Sequence, residues 1–558
     1  MPRLTGGRFI AETVHGYGIT HVFFMPVIAP RALMEMERLG IRRIMTHGEK
    51  SAAYMADAYS RVRRGAGICM AQSVGAANLA AGLQDAYLAC SPVIAITGRQ
   101  TQINRHRHAY QEVDHVAPFD AVTKYNVLVD RPEQLPYFLR QAFREATTAT
   151  PGPVHLDMAG FIGDVVANAE ADLDVVAEEP FAQLPPFRPE PDPESVRKAV
   201  DLLTAAERPV IVAGGGIVAS EADAALRAFA EKLSIPVATS LNAKEAFPYD
   251  HPLAVGVCGL YSRECANRAV CEADLVFFVG SHTGGQVTND WTVPPAGTHV
   301  IQLDINPAEI GRSYPIRLGI QADARAGLSR LIDAAPGAVT RSAWTSRVRQ
   351  LTSEWQEHVA PLVNSEEAPI RPERLCRELT RHLPSDAILV SDTGHSGIWT
   401  GTMIDLIHPG QSYIRCSGSL GWGIPAAVGA RCAAPDRPVV CFTGDGGIWY
   451  HVTELDTAVR NDIPVVVVVN NNHSLNQEQE LNEDVYGGPE PGSDELWHMT
   501  DGDFAKMAES MDCVGITVHR AGAFGSALDQ AISSGKPAVI DVKTHIEGIA
   551  PPAWSPSA

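Results

Sequence analysis

The chain has 558 residues, room for three or four domains at about 150 residues each. Its 45% hydrophobic and 20% charged content is that of a globular protein and excludes a fibrous or disordered chain. A net charge of −20 argues against nucleic acid or an anionic membrane surface as partner. No apolar run reaches the roughly 18 residues of a membrane helix. The segment Met1-Pro2-Arg3-Leu4-Thr5-Gly6-Gly7 lacks the apolar core of a secretory signal, so a cytoplasmic location is expected. The 10 cysteines show no CxxC spacing and read as buried reduced thiols.

In chain order, a helix-like stretch over 78–89 precedes an apolar strand at 94–97. A proline-rich run over 179–191 cannot hold a helix or a central strand and reads as a linker. Next come a strand at 209–213, the triplet Gly214-Gly215-Gly216 and another apolar run at 300–305. A second, less sharp break falls between 335 and 372. Beyond it, strands at 439–442 and 464–469 flank a helix-like 452–460. Near-continuous apolar runs separated by helices predict parallel sheets covered on both faces. The expected architecture is α/β, with three doubly wound parallel-sheet domains at 1–180, 192–340 and 366–558.

The most informative pattern lies in the third block. Gly444-Asp445-Gly446-Gly447 follows one strand directly, and Asn471-Asn472 follows the next. In a parallel sheet both segments fall at the carboxyl ends of strands, where ligands bind. Glycines let the backbone approach a phosphate and cradle it with N–H groups. Asp445 and the Asn472 amide offer hard oxygens for Mg²⁺, with Ser474 two positions on.

This pattern resembles that of thiamine-diphosphate enzymes, in the group of acetolactate synthases, 2-hydroxyacyl-CoA lyases and oxalyl-CoA decarboxylases. The resemblance covers nearly the whole chain. It implies pyrimidine-binding, central and diphosphate-binding domains, thiamine diphosphate and Mg²⁺ as cofactors, and active sites shared between two subunits of a homodimer or homotetramer. His47-Gly48-Glu49-Lys50 is similar to the segment carrying the activating glutamate, which places that role on Glu49. In the family this carboxyl hydrogen-bonds the aminopyrimidine ring and favours the tautomer that takes the proton from the thiazolium carbon. Asp392-Thr393-Gly394-His395-Ser396 is similar to a diphosphate-contacting segment and points to His395 and Ser396. Leu420, in Ser417-Gly418-Ser419-Leu420-Gly421-Trp422, matches the residue that wedges the cofactor into its bent shape. Tyr110-Gln111-Glu112 places a substrate-facing glutamine at Gln111.

Three departures turn the expectation away from acetolactate synthase. Pro26-Val27 stands where synthases carry a glycine-rich turn. No aromatic residue follows Asn472 through Leu481, and Gln477 or Glu478 would face the substrate and handle a proton there. The central block lacks the synthase-type flavin segment, so FAD is not expected. Arg99, Arg105, His106, Arg107 and His108 suit the phosphates of CoA, and Gly214-Gly215-Gly216 leaves open an ADP or CoA moiety in the central domain. The leading expectation is therefore a 2-hydroxyacyl-CoA lyase, giving formyl-CoA plus a ketone or aldehyde. The alternatives are acetolactate synthesis from pyruvate and decarboxylation of a 2-keto acid or oxalyl-CoA. The segment 547–554 reads as a lid over the site.

Overall fold

The computed structural model describes residues 2–556. Three parallel six-stranded sheets follow one another along the chain. The first runs, in spatial order, Arg42–Met45, His21–Phe24, Gly67–Ala71, Val93–Arg99, Val154–Ala159 and Tyr125–Val129. The second runs Ala254–Val257, Val237–Thr239, Pro209–Ala213, Leu275–Val279, His299–Asp304 and Leu318–Gln321. The third runs Ser412–Arg415, Ile388–Ser391, Val439–Gly444, Val466–Asn471, Ala538–Lys543 and Val514–Val518. Central strands such as Leu275–Val279 are buried at every position, as both-face coverage by helices requires. An antiparallel pair, Arg3–Thr5 with Glu170–Asp172, closes the edge of the first domain.

The strand expected from 464 begins at Val466. Pro464, which has no N–H for the ladder, stays outside it. The second expected break holds a helix, Ser342–Val363. Just over half of its residues are polar, and its buried Trp344, Val348, Leu351 and Val359 recur at helical spacing. Trp344 Nε1 donates to the Pro209 carbonyl at 2.9 Å, docking this helix on the central sheet.

Two helices join the first and third domains, Glu49–Arg63 and Gly423–Ala433. Their backbones come so close that a Cβ on Gly429 would lie 2.0 Å from the Met55 carbonyl oxygen. Asp57 and Arg61 form a buried ion pair at 2.7 Å, and Arg61 also donates to the Arg415 carbonyl at 2.6 Å. Asp85 reaches across to the loop after Arg415, accepting from the Ser417 and Ser419 backbone N–H groups at 2.9 and 3.0 Å. All 10 cysteines are free. Among the described residues no helix is long and apolar enough to cross a membrane.

Candidate active site

The third-domain site sits at the carboxyl ends of neighbouring strands. Asp445 begins the helix Asp445–His451 directly after the strand Val439–Gly444. Its Oδ1 accepts from Gly446 N at 2.7 Å, and its Oδ2 from Asn472 N at 3.0 Å and Ser474 N at 3.2 Å. Burial pushes the carboxyl up to about 6 against the pull of these N–H groups. Ser474 N also donates to Asn472 Oδ1 at 3.2 Å, and Ser474 Oγ is buried without a partner. Asp445, Asn472 and Ser474 thus bring carboxylate, amide and hydroxyl oxygens together. One carboxylate with neutral oxygens suits Mg²⁺ when phosphates complete its shell. The neighbouring Asn471 is turned the other way, donating to Asp541 Oδ1 at 2.8 Å and the Gly502 carbonyl at 3.0 Å.

The glycines beside Asp445 are required by close approach. A Cβ on Gly446 would meet Leu475 Cδ2 at 2.3 Å, and one on Gly447 would meet Thr443 Oγ1 at 2.3 Å. His395 and Ser396 begin the helix His395–Thr402, and a Cβ on Gly444 would contact Ser396 Oγ at 3.6 Å. The His395 Nδ1 lies 2.7 Å from Asn476 Oδ1, while its Nε2 is buried without a partner. Burial lowers this imidazole, keeping it neutral. Orphaned polar atoms at Ser474 and His395, on either side of a glycine cradle, fit a diphosphate and its metal.

Leu420 is 40% exposed. Its loop is fixed by Asp85 from below and by Asp392, which accepts from Gly421 N and Gly423 N at 3.1 Å each. Asp392 is fully buried, and burial raises its carboxyl to about 6. Asp85 and Asp392 were not singled out from sequence. Asp392 heads the segment assigned to His395 and Ser396, but Asp85 lies in the last turn of its helix with no local signal. Glu478 lies exposed in the first turn of Asn476–Tyr486. Gln477, rather than Glu478, reaches back to the site: a Cβ on Gly394 would sit 2.9 Å from its Oε1.

In the first domain Glu49 opens its helix half-buried. Its Oε2 accepts from Asn78 Nδ2 at 3.2 Å, and a Cβ on Gly75 would fall 2.4 Å from its Oε1. Ser73, at the start of the helix Ser73–Leu88, donates from Oγ to the Gln111 carbonyl at 2.6 Å. Gln111 itself has a left-handed backbone, φ 56°, uncommon for a residue with a Cβ. The structure therefore brings Glu49 and Gln111 to one end of the first sheet.

The expected basic cluster does not form one surface. Arg99 is buried against Asp130 and Asp157, and Arg105 pairs with Asp114 at 2.9 Å. Two of the three arginines already face carboxylates, and Arg107 stands exposed apart from them, so the cluster is no single seat for CoA phosphates. A cavity of about 760 Å³ lies elsewhere, where all three domains meet, lined by Gly214–Gly216, Asp304, Arg64, Arg415 and Arg437. The C-terminal segment passes the site and ends on the central domain. Asn476 Nδ2 donates to the Ile546 and Gly548 carbonyls at 3.1 and 3.2 Å, and Asn267 Nδ2 to the Trp554 carbonyl at 2.9 Å.

Three α/β sheets, with a glycine cradle beside an oxygen cluster on one and a glutamate at the helix start on another, define a diphosphate-cofactor enzyme. Residues 4–117, 196–331 and 392–542 match the family descriptions "Thiamine pyrophosphate enzyme" N-terminal TPP binding domain, central domain and C-terminal TPP binding domain. The chain belongs to the thiamine pyrophosphate enzyme family and is a thiamine-diphosphate-dependent enzyme of carbon–carbon bond chemistry. It is 33% identical to a "Probable acetolactate synthase large subunit" of Methanocaldococcus jannaschii, over 97% of this chain and 92% of the relative. The "Acetolactate synthase large subunit" of Corynebacterium glutamicum is 31% identical over 97% and 86%. The "Acetolactate synthase isozyme 2 large subunit" of Escherichia coli is 29% identical over 99% of each. These relatives favour the acetolactate synthase alternative over the 2-hydroxyacyl-CoA lyase that the turn at Pro26-Val27 led us to expect.

Proposed function

We propose that this protein is a Mg²⁺-dependent carboligase of the acetolactate synthase type, taking a 2-keto acid as donor. The observation that carries this reading is the full-length similarity to acetolactate synthase large subunits, in a chain that keeps the oxygen cluster of Asp445, Asn472 and Ser474. Thiamine diphosphate, when bound, supplies a carbon nucleophile and an electron sink. Asp445, Asn472 and Ser474 would hold its Mg²⁺. Gly444, Gly446, Gly447, His395 and Ser396 would hold the diphosphate. Glu49 would meet the aminopyrimidine ring of the cofactor, its carboxyl kept in place by Asn78 on one oxygen and by the bare Cα of Gly75 beside the other.

Leu420 is an apolar side chain standing out from a loop that two buried aspartates immobilise, the build of a prop rather than of a core residue. Gln111 and Gln477, in place of the exposed Glu478, would meet the substrate, and the segment after His545 would exclude water. A homodimer or homotetramer in the cytoplasm is part of the same proposal. The cavity beside Gly214–Gly216 is where an ADP or CoA moiety would go.

The test is product analysis. The purified protein with thiamine diphosphate and Mg²⁺ is given pyruvate alone, and separately a panel of 2-hydroxyacyl-CoA thioesters, and the products are resolved by mass spectrometry. Acetolactate and CO₂ from pyruvate are expected. Formyl-CoA from a thioester, with pyruvate untouched, would replace this reading by the lyase.

A further inference from the structure

Glu454 is a buried carboxyl outside the oxygen cluster and the glycine cradle. It opens the helix Glu454–Arg460 of the third domain and is 1% exposed. Both its oxygens are taken. Oε2 accepts from Thr457 Oγ1 at 2.7 Å, within its own helix. Oε1 accepts from the backbone N–H of His47, in the first domain, at 3.1 Å. Burial raises this carboxyl above its ordinary value, and the two hydrogen bonds pull against it. Burying a carboxyl is costly, and a well-packed apolar side chain of similar volume would cost less. What Glu454 adds over such a side chain is its hold on a backbone group of another domain.

His47 stands two residues before Glu49. Between them Gly48 has an extended backbone, φ −157° and ψ 151°, and no side chain to cap the helix Glu49–Arg63 that follows. The start of that helix is therefore set by what holds the residues before it. On the first-domain side Thr46 does so. Its Oγ1 donates to the Gly48 carbonyl at 2.8 Å, and its N–H to the Phe24 carbonyl at 3.0 Å. On the third-domain side the helix Glu454–Arg460 does so. Beside the Glu454 bond, His47 Nε2 lies 2.7 Å from Asp456 Oδ2, and Arg460 Nη2 donates to the Met45 carbonyl at 3.0 Å. His47, Asp456 and Arg460 stand partly in solvent, where such pairs add little. Glu454 is the buried member of the clamp.

We propose that Glu454 is a positioning residue for Glu49. From the third domain its carboxyl fixes the His47 N–H, and with it the point where the helix carrying Glu49 begins. One stretch of chain, from Asp445 to Arg460, then sets both the oxygen cluster and the place of the glutamate. The inference deepens the proposed function and rests on its reading of Glu49 as the carboxyl that meets the aminopyrimidine ring.

Two measurements on the full-length protein test it. The first is amide hydrogen exchange without cofactor, followed by mass spectrometry in a peptide spanning 45–50. Glu454→Leu removes the acceptor, and the His47 amide should exchange at least about tenfold faster, the worth of one hydrogen bond at a buried group. Glu454→Gln keeps an acceptor and should stay within about twofold of the parent. The second uses protein loaded with thiamine diphosphate and Mg²⁺. It reads, by acid quench and NMR, how fast the thiazolium carbon exchanges its proton with deuterated solvent. That rate should fall at least about tenfold in Glu454→Leu and recover in Glu454→Gln, because a misplaced catalytic group loses its orientation. Should Glu454→Leu misfold, Glu454→Met offers an unbranched apolar chain of similar length, with the same expectations. Amide exchange at 45–50 that matches the parent in a folded apolar variant overturns the proposal. So does a thiazolium exchange rate untouched by that variant, or a Glu454→Gln protein as impaired as Glu454→Leu. Failure of the reading beneath it shows separately: Glu49→Gln would then exchange the thiazolium proton at the parent's rate. Neither measurement contains a substrate, so failure of the carboligase reading would leave both unmoved.

Discussion

Trp422 Nε1 donates to Asp57 Oδ2 at 3.0 Å, so that a fully buried tryptophan of the third domain is hydrogen-bonded to a buried carboxylate of the first. Arg61 completes the arrangement, pairing with Asp57 and lying 5.0 Å from the Trp422 ring centroid. Replacing Trp422 with Phe keeps the ring but leaves Asp57 one donor short. The variant should lose about 1–3 kcal/mol in denaturant unfolding. Unchanged stability would mean that the indole N–H carries no weight at the domain contact.

Gly75 lies against the Glu49 carboxylate, and the atom that a new Cβ would strike is the far end of a flexible side chain. Gly75→Ala should therefore fold, with Glu49 swung away from Asn78. Turnover should fall at least about tenfold with little change in melting temperature. Glu49→Gln should abolish turnover in a folded protein. Steady-state kinetics beside circular dichroism decides both.

Asp445 is the only charged member of the oxygen cluster with Asn472 and Ser474. Asp445→Asn should weaken Mg²⁺ by more than about tenfold, read as the Mg²⁺ concentration that restores half-maximal thiamine diphosphate binding. A variant with unaltered Mg²⁺ dependence would move the metal elsewhere.

Glu245 supplies the pH dependence. It accepts from the Tyr413 backbone N–H at 2.5 Å, and burial raises its carboxyl to about 7. The unfolded chain ionises this group near 4.5. Its stabilising contribution is thus complete below that value and disappears as pH rises through 7. Glu245→Gln retains the acceptor without the charge. The variant should be more stable than the parent at pH 8, by about 2 kcal/mol, and the gap should close toward pH 5. A constant gap across thermal melts at the two pH values would exclude titration of Glu245 as its cause.

The sequence was most legible where local composition decides structure. Val439–Gly444 and Val466–Asn471 announce themselves as buried parallel strands, and their positions place Asp445 and Asn472 at neighbouring strand ends. The helix Ser342–Val363 was missed because its four buried apolar residues are diluted among polar ones. Asp85 was invisible for a different reason. Its partners Ser417 and Ser419 lie more than 330 residues away in sequence, and nothing in its own helix marks a carboxylate bound to another domain's backbone. The ion pairs of Arg99 were equally hidden. As sequence, Arg99 belongs to a basic cluster, and only the fold shows that Asp130 and Asp157 have claimed its charge.

The contact between Asn267 and the Trp554 carbonyl spans 287 residues. At a translation rate of roughly 5–20 residues per second, the central sheet emerges about 15–60 s before the segment that binds it. During that interval the third domain is made, and Asn476 waits unbound until Ile546 and Gly548 follow the strand Ala538–Lys543 out. The closing clasp of the site is therefore a late event of biosynthesis, and the nascent enzyme holds its first two sheets well before it holds a finished pocket.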